Sequence, residues 1–149
     1  MTLKTVSTRN EVKLIETTLR KYTTYQAGKL NLKKQLYAII PSTIELKEID
    51  IIDRNNFIIQ LNNENEYILA MNLYKDLLKY SLITESIDIA VEQLDLTEFA
   101  FVQFRYFENK TMKEISIEMG YGEKHLFNLR RRLLGKLLIS LKSLTSQNL

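Results

Sequence analysis

The residues best suited to chemistry lie in the stretch TMKEISIEMGYGEKHLFNLRRRLL, which runs from Thr111 to Leu134. Two of the chain's four glycines, Gly120 and Gly122, interrupt this otherwise helix-forming stretch. Because glycine costs about 1 kcal/mol relative to alanine inside a helix, we interpret the pair as a turn between two helices. Basic and amide side chains follow the turn, and clustered positive charge of this kind is typical of a surface that binds a polyanion.

Sequence signals define both helices on either side of this turn. Thr111 and Glu114 have the spacing of a capping box, in which each side chain satisfies a backbone N–H at the start of a helix. Gly120 can end that first helix in the left-handed conformation. The second helix is predicted to run from Glu123 past Leu141. Its buried stripe recurs every three or four residues and consists of Leu126, Leu129, Leu133, Leu137 and Leu141.

The pattern matches a helix-turn-helix, in which a short turn that often contains glycine joins two closely packed helices. Ser116 is the small residue expected at the crossing of the helices. Apolar contacts around the turn are expected from Ile115, Met119, Tyr121, Leu126 and Leu129. Such a turn makes the second helix project its first half outward, and a projected helix fits the major groove of B-DNA, which is about 12 Å wide. The alternative is a helix pair that serves only for packing.

The side chains on the projected helix suit contact with duplex DNA. Asn128 can pair with adenine, Lys124 can donate to guanine, and Glu123 can accept from cytosine N4. The residues expected at base edges are Gly122, Glu123, Lys124, His125, Phe127 and Asn128. Arg130, Arg131, Arg132 and Lys136 are expected at phosphates, which fix register rather than sequence. Thr111, Lys113 and Tyr121, at the start of the first helix and in the turn, complete the candidate DNA-binding residues.

Charge is segregated along the chain although the net charge is only +3. Residues 95–149 carry nine Lys/Arg and six Asp/Glu, and no acid follows Glu123. Residues 45–94 carry four Lys/Arg and ten Asp/Glu. Segregation of this kind predicts a polyanion partner for the C-terminal part and a different, protein partner for the acidic middle.

The rest of the chain is predicted to be mostly helical. Apolar spacing indicates one helix over 8–26, ended near Gly28, and a second that ends before Pro41. The isoleucine-rich stretch 44–61 contains a turn signal at 53–56, and a short β-hairpin is one interpretation of it, an irregular connector the other. Thr97 is the expected N-cap of the helix that begins the C-terminal part. We therefore predict a mostly α fold with a helical N-terminal region, 1–83, and a DNA-binding domain, 84–149.

The segment LDLTEFAFVQFRYFENKTMKEISIEMGYGEKHLFNLRRRLLGKLL resembles region 4 of the sigma-70 family. With the N-terminal segment LIETTLRKYTTYQAGKLNLKKQL, the chain looks like phage late-gene transcription activators of the RinA, LtrC and ArpU kind. The resemblance implies a sigma region 4-like helix-turn-helix that binds promoter DNA, contact with RNA polymerase, and the cytoplasm of a bacterial host as the place of action. One departure is Gly122, where Ser or Thr is more usual, so a hydroxyl contact to phosphate is lost.

The leading hypothesis is a sequence-specific DNA-binding regulator, an activator of phage late genes that acts with host RNA polymerase. A compact sigma factor is one alternative, although no stretch in residues 1–94 is suited to melting a promoter. A second alternative is an adaptor that binds a protein, such as an inhibitor, through the acidic middle. A homodimer through the helical N-terminal half would read two half-sites about 34 Å apart.

Several classes of function have no support in the sequence. The chain has no cysteine and one histidine, His125, so neither a disulfide nor a metal cluster is expected. A Gly-rich phosphate loop and a nucleophile–base pair are also missing, so we expect no enzyme activity and no cofactor. The sequence has no run of about 18 apolar residues, so we expect no membrane span. The first residues do not have the pattern of a secretory signal.

Overall fold

The computed structural model describes residues 2–48, 54–61 and 63–145. Within these ranges the regular structure is helical and no strand occurs, so the predicted mostly α fold is confirmed. The α-helices are α1 (Thr2–Arg20), α2 (Tyr22–Ile39), α3 (Arg54–Leu61), α4 (Glu64–Glu92), α5 (Leu96–Val102), α6 (Met112–Met119), α7 (Glu123–Ser140) and α8 (Lys142–Thr145). A 3₁₀ helix, Leu46–Glu48, precedes α3, and a π-helical turn, Gln103–Phe107, follows α5 directly.

The chain divides into two compact units. One consists of the residues up to Thr23 together with those from Ile83 onward, and the other is Thr24–Leu82. The sequence pattern predicts a single N-terminal region, 1–83, but α1 packs against α7 and α8 in the first unit. Its apolar stripe is the reason, because Ile15 and Leu19 are fully buried in that unit. The first helix is thus part of the C-terminal unit rather than of a separate N-terminal region.

The core of the first unit is built from apolar stripes that recur at helical spacing. The predicted leucine stripe of α7 is confirmed, since all five of its members are buried. Large fully buried side chains also come from α1, the last turns of α4, α5, the π-helical turn and α6: Ile15, Leu19, Ile83, Ile87, Phe101, Tyr106 and Ile115. This core holds α7 by its leucine face and leaves the opposite face in solvent.

The second unit has its own core, formed by α2, α3 and the first part of α4. Its buried members are Leu36, Ile40, Ile44, Phe57, Leu61, Ala70, Tyr74 and Leu77. The hairpin interpretation of 44–61 is wrong for 54–61, which form α3; its turn at 53–56 falls partly on residues outside the described ranges. Phe57 and Leu61 lie four residues apart and are both buried, which is helical spacing. Packing of this face against α4 outweighs the β-propensity of the isoleucines.

Several helix boundaries differ from those that the sequence predicts. The helix predicted over 8–26 is divided, since α1 ends at Arg20 and α2 begins at Tyr22. Gly28 lies inside α2 instead of ending a helix, and a Cβ at this position would lie 3.1 Å from the Tyr80 ring. Close packing on an aromatic ring therefore explains this glycine. The N-cap of α5 is Asp95 instead of Thr97, because the Asp95 side chain accepts from the Glu98 N–H at 2.8 Å. The Glu98 carboxylate in turn accepts from the Asp95 N–H at 3.0 Å.

Candidate nucleic-acid interface

The short helix α6 begins with the predicted capping box. The Thr111 hydroxyl accepts from the Glu114 backbone N–H at 3.2 Å, and the Glu114 carboxylate accepts from the Thr111 N–H at 3.1 Å. Hydrogen bonds to its carboxylate from the Thr111 backbone N–H and the Thr111 hydroxyl lower the pKa of Glu114 below its usual value. Both residues are exposed, so the box fixes where α6 begins without adding to the core. Ile115 in the next position is fully buried and anchors α6 to the core of its unit.

A three-residue turn joins α6 to α7. Gly120 ends α6 with φ +72° and ψ +23°, a left-handed conformation that a side chain would disfavour. Its N–H donates to the Ser116 carbonyl at 2.9 Å, and the Ser116 hydroxyl donates to the Tyr121 carbonyl across the turn. Gly122 is the N-cap of α7 in an extended conformation, without a side-chain cap. Of the two glycines, only Gly120 therefore has a backbone conformation that requires glycine.

One face of α7 is exposed and carries polar residues. Lys124, Asn128 and Arg131 are all exposed and follow each other at intervals of four and three residues, which places them on one side of the helix. Phe127 is on the same side, with 51% of its surface exposed. Among the described residues, no carboxylate lies within ion-pair distance of Lys124 or Arg131. We call Lys124, Phe127, Asn128 and Arg131 the outward face of α7.

The start of α7 adds further exposed groups. Glu123 and His125 are exposed in its first turn, and Lys113 is exposed on α6. The Tyr121 ring lies 4.5 Å from the His125 ring, centroid to centroid. Tyr121 therefore packs on His125, whereas the sequence pattern predicts an apolar contact with the core. The Glu123 carboxylate and the rings of Tyr121 and His125 thus lie at the N-terminal end of α7.

Arg130, predicted at a phosphate, lies off the outward face and points toward α1. Its guanidinium makes a bidentate pair with Glu16 of α1, with Nη2–Oε1 at 2.7 Å and Nε–Oε2 at 3.1 Å. The Glu16 side chain is 11% exposed and that of Arg130 32%. This pairing contradicts a free phosphate-binding role, because a buried carboxylate without its cation is costly. Arg130 instead links α7 to α1 through its ion pair with Glu16.

Tyr106 of the π-helical turn completes this buried network. Its hydroxyl donates to Glu16 Oε2 at 2.6 Å, and its ring lies under the guanidinium of Arg20 at 5.4 Å. Burial would raise the pKa of Glu16, but the hydrogen bonds from Arg130 and Tyr106 outweigh burial and lower the pKa. Burial and the neighbouring carboxylate raise the pKa of Tyr106. Glu16 is therefore ionised and Tyr106 neutral near pH 7.

Arg132 and Lys136 share a second buried carboxylate, that of Glu98, whose side chain is 0% exposed. Arg132 Nε lies 3.0 Å from Oε2, and Lys136 Nζ lies 2.8 Å from Oε1. Burial acts to raise the pKa of Glu98, but hydrogen bonds from Lys136, the Asp95 N–H and Arg132 lower it to about 2. Both cations remain about half exposed, so solvent still reaches them although their charge is partly balanced.

The predicted site residues therefore separate into two groups. The structure places Lys113, Tyr121, Gly122, Glu123, Lys124, His125, Phe127, Asn128 and Arg131 on the surface around α6, the turn and the outward face. Thr111 is exposed but uses its side chain in the capping box. Arg130, Arg132 and Lys136 are held by Glu16 and Glu98. Of the arginine triplet, Arg131 alone belongs to the outward face.

Glu16 and Glu98 are the two important residues that sequence reasoning missed. Glu16 falls within the apolar stripe of α1, between Ile15 and Leu19, where a charged residue signals a buried partner. Glu98 follows Asp95 at capping-box spacing, a pattern that indicates a helix start. Neither signal identifies the partner, because the pairs join residues 114 and 34 positions apart.

Other kinds of site have no counterpart in the described residues. No group of three or more His, Asp or Glu side chains there could hold a metal ion. None of the helices in those ranges has both the length and the apolar character needed to cross a membrane. The sequence matches no protein-family profile, no curated protein and no solved structure.

Proposed function

We propose that the protein is a sequence-specific regulator of transcription that binds duplex DNA through α6, the turn and α7. In this proposal the two helices form a helix-turn-helix like that of sigma region 4, with α7 as the recognition helix. The observation that carries it is the outward face: an exposed amide between two exposed cations on one side of α7, the helix that follows the turn at the left-handed Gly120. A major groove accepts a helix with this face.

Each exposed group has a role in this proposal. Asn128 pairs with adenine and Lys124 donates to guanine, while Glu123 accepts from cytosine N4. Arg131, two turns further along, contacts a phosphate and fixes register. Arg132 and Lys136 add weaker phosphate contacts, because Glu98 already balances part of their charge. Of the four residues predicted to bind phosphates, Arg131 is thus proposed as the main contact, and Arg132 and Lys136 as weaker ones.

The biological setting rests on the resemblance to sigma region 4 and to phage late-gene activators. We propose that the protein acts with the RNA polymerase of a bacterial host and activates transcription. Run-off transcription separates this role from that of a compact sigma factor. Initiation that requires a housekeeping sigma factor supports an activator, and initiation by core polymerase with this protein alone supports the alternative.

Fluorescence anisotropy with labelled duplexes tests DNA binding directly. The purified protein is first used to enrich duplexes from a random library. The affinity for the most enriched duplex and for a scrambled duplex is then measured at several salt concentrations. We expect affinity to fall with salt because bound cations displace counterions. Asn128→Ala should relax preference at one base pair, at a cost of about 1–3 kcal/mol, and Arg131→Ala should weaken binding to both duplexes.

The matched control is Lys79→Ala, which removes one exposed positive charge from α4 in the other unit. It should leave both affinities unchanged. If no duplex is enriched, or if Lys124→Ala, Asn128→Ala and Arg131→Ala bind as the wild type does, the proposal is wrong. An arginine triple variant is unsuitable as a test, because removing Arg130 and Arg132 takes cationic partners from two buried carboxylates and so destabilises the fold as well.

The adaptor alternative has one observation in its favour. The first turns of α4 expose Ile68 and Leu69 next to the acids Glu64 and Glu66. Arg54 pairs with Glu64 at 2.8 Å, so part of this acidic charge is already balanced. Variants Ile68→Ser and Leu69→Ser test the alternative: loss of transcription activation with unchanged DNA binding supports a protein partner here, and unchanged activation eliminates it.

A further inference from the structure

Phe127 occupies an unusual position for a large apolar side chain. It lies in the middle of the outward face, three residues after Lys124 and four before Arg131, with Asn128 beside it. Half of its surface is exposed, although the neighbouring positions 126 and 129 are buried in the core. Single exposed apolar residues are common on protein surfaces. This one stands out because cations flank it along the helix and the ligand proposed for this face is an anion.

The flanking charges restrict what can cover Phe127. A partner that sits on the outward face must satisfy Lys124 and Arg131 with negative charge and Asn128 with a donor and an acceptor. The same partner must offer an apolar group to Phe127, between those polar contacts. The major groove of DNA provides this combination, because each thymine carries a C5-methyl group next to hydrogen-bonding base edges and a phosphate backbone.

We propose that Phe127 reads thymine, through van der Waals contact between its ring and the C5-methyl group in the major groove. The inference rests on the proposed function and extends it to the base composition of the target. Phe127 and Asn128 are consecutive residues, about 1.5 Å apart along the helix axis and about 100° apart around it, so they flank the line from Lys124 to Arg131 and reach nearby base pairs in one stretch of groove. The recognised half-site therefore contains an A·T pair that Asn128 contacts and a thymine methyl group that Phe127 contacts.

Replacing thymine by deoxyuridine tests this contact, because the exchange removes the methyl group and leaves the hydrogen-bonding edges unchanged. The duplex enriched from the random library is resynthesised with each thymine replaced in turn, and the affinity of the full-length protein is measured for every version. We expect one position at which deoxyuridine weakens binding roughly fourfold, the value for one buried methyl-sized group. Replacement at the remaining positions should change binding less than twofold.

Variants assign the effect to Phe127. Phe127→Ala should weaken binding to the thymine duplex and bind the thymine and deoxyuridine versions equally. Phe127→Leu, which keeps an apolar side chain, should retain part of the difference. Asn128→Ala should keep the full difference while losing preference for adenine. Phe99→Ala, which alters a partly exposed ring on α5, is the matched control and should behave as the wild type.

Three outcomes overturn the inference in distinguishable ways. If the wild type binds every deoxyuridine version as tightly as the thymine duplex, thymine is not read, although DNA binding itself still stands. If Phe127→Ala and Phe127→Leu keep the full difference, another side chain reads the methyl group. If no duplex is enriched at all, the proposed function fails and the inference fails with it.

Discussion

The two sides of α7 use the same kind of residue for opposite purposes. Arg130 and Arg131 are adjacent in sequence, yet Arg130 holds the buried carboxylate of Glu16, whereas Arg131 faces solvent on the outward face. Successive residues on a helix point about 100° apart, given 3.6 residues per turn. A run of three arginines therefore cannot present three equivalent charges to one ligand. The side of the helix on which an arginine lies therefore determines whether it pairs with a buried carboxylate or faces solvent.

Three cations of α7, Arg130, Arg132 and Lys136, pair with buried carboxylates. We call these ion pairs the structural layer. Glu16 and Glu98 come from α1 and α5, and each is held by cations of α7. The desolvation of a buried carboxylate is compensated only while its partners stay in place. Lys124 and Arg131 on the outward face pair with no carboxylate among the described residues, so they are available to bind a ligand. Stability and binding should therefore respond to substitutions on different sides of one helix.

The largest expected effect is that of Arg130→Ala. Removing the guanidinium leaves Glu16 buried with the hydrogen bond from Tyr106 and the weaker electrostatic interaction with Arg20. We expect the free energy of unfolding of the first unit to fall by about 3 kcal/mol, as for other buried pairs that lose one member. Arg131→Ala is the matched control, with an expected change within about 0.5 kcal/mol. Urea denaturation followed by circular dichroism and tyrosine fluorescence measures both.

A double-mutant cycle shows whether this loss belongs to the pair. Glu16→Ala should also destabilise the unit, and the Arg130→Ala/Glu16→Ala variant should lose less than the two single losses combined. Equal stability of Arg130→Ala and Arg131→Ala would contradict the distinction between the two sides of α7. Simple additivity of the two single losses would contradict a direct coupling between the residues.

The next effect is a loss of stability in acid that depends on Glu98. Its pKa is about 2 in the folded protein and about 4.5 without the fold. Stability from this group is therefore complete above pH 4.5 and is lost as the pH falls toward 2, by up to about 3 kcal/mol. The exposure of Arg132 and Lys136 to solvent reduces this amount. Urea midpoints measured from pH 6 to pH 2 test the prediction.

Glu98→Gln separates Glu98 from the other carboxylates. The amide cannot lose a proton, so this variant should be less stable at pH 6 and its midpoint should change less with pH. The slope that remains comes from groups such as Glu16, whose pKa is also lowered. If Glu98→Gln has the same pH dependence as the wild type, Glu98 does not act as the buried anion of this layer.

The local features of the interface were predictable from sequence. The capping box at Thr111, the turn at Gly120 and the leucine stripe of α7 depend on residues at most a few turns apart, and the structure has all of them. Spacing alone identifies such features because a helix repeats every 3.6 residues. The exposure of Lys124 and Asn128 follows directly from the position of that stripe.

The long-range features were not predictable in the same way. The pairing of Arg130 with Glu16 joins residues 114 positions apart, and a single sequence contains no record of such a contact. The packing of Gly28 on Tyr80 is hidden for the same reason, and without it a glycine in a helix indicates a break. The error at 54–61 has a local cause, because isoleucine-rich runs fit a strand or a helix until their packing partner is known.

A smaller effect is expected at the turn that joins α6 to α7. Gly120→Ala should destabilise the first unit by about 1 kcal/mol, because a Cβ is strained at its φ of +72°. Gly122→Ala is the matched control, since φ there is −67° and nothing lies within 4 Å of an added Cβ. Thermal unfolding compares the two variants. Equal melting temperatures would contradict a special role of the left-handed turn.

The smallest expected effect on stability, and the clearest on binding, is that of Arg131→Ala. Its side chain leaves no buried partner behind within the described ranges, so the melting temperature should change by about 1–2 °C or less. The same change should reduce by about 1 the slope of log affinity against log salt concentration, because one phosphate contact is lost. Arg132→Ala should reverse this pattern, with a lower melting temperature and a smaller change in slope, since its charge is shared with Glu98. Equal slopes for wild type and Arg131→Ala would mean that the exposed arginine does not touch the DNA backbone, and would leave Lys124 and Asn128 to bind without it.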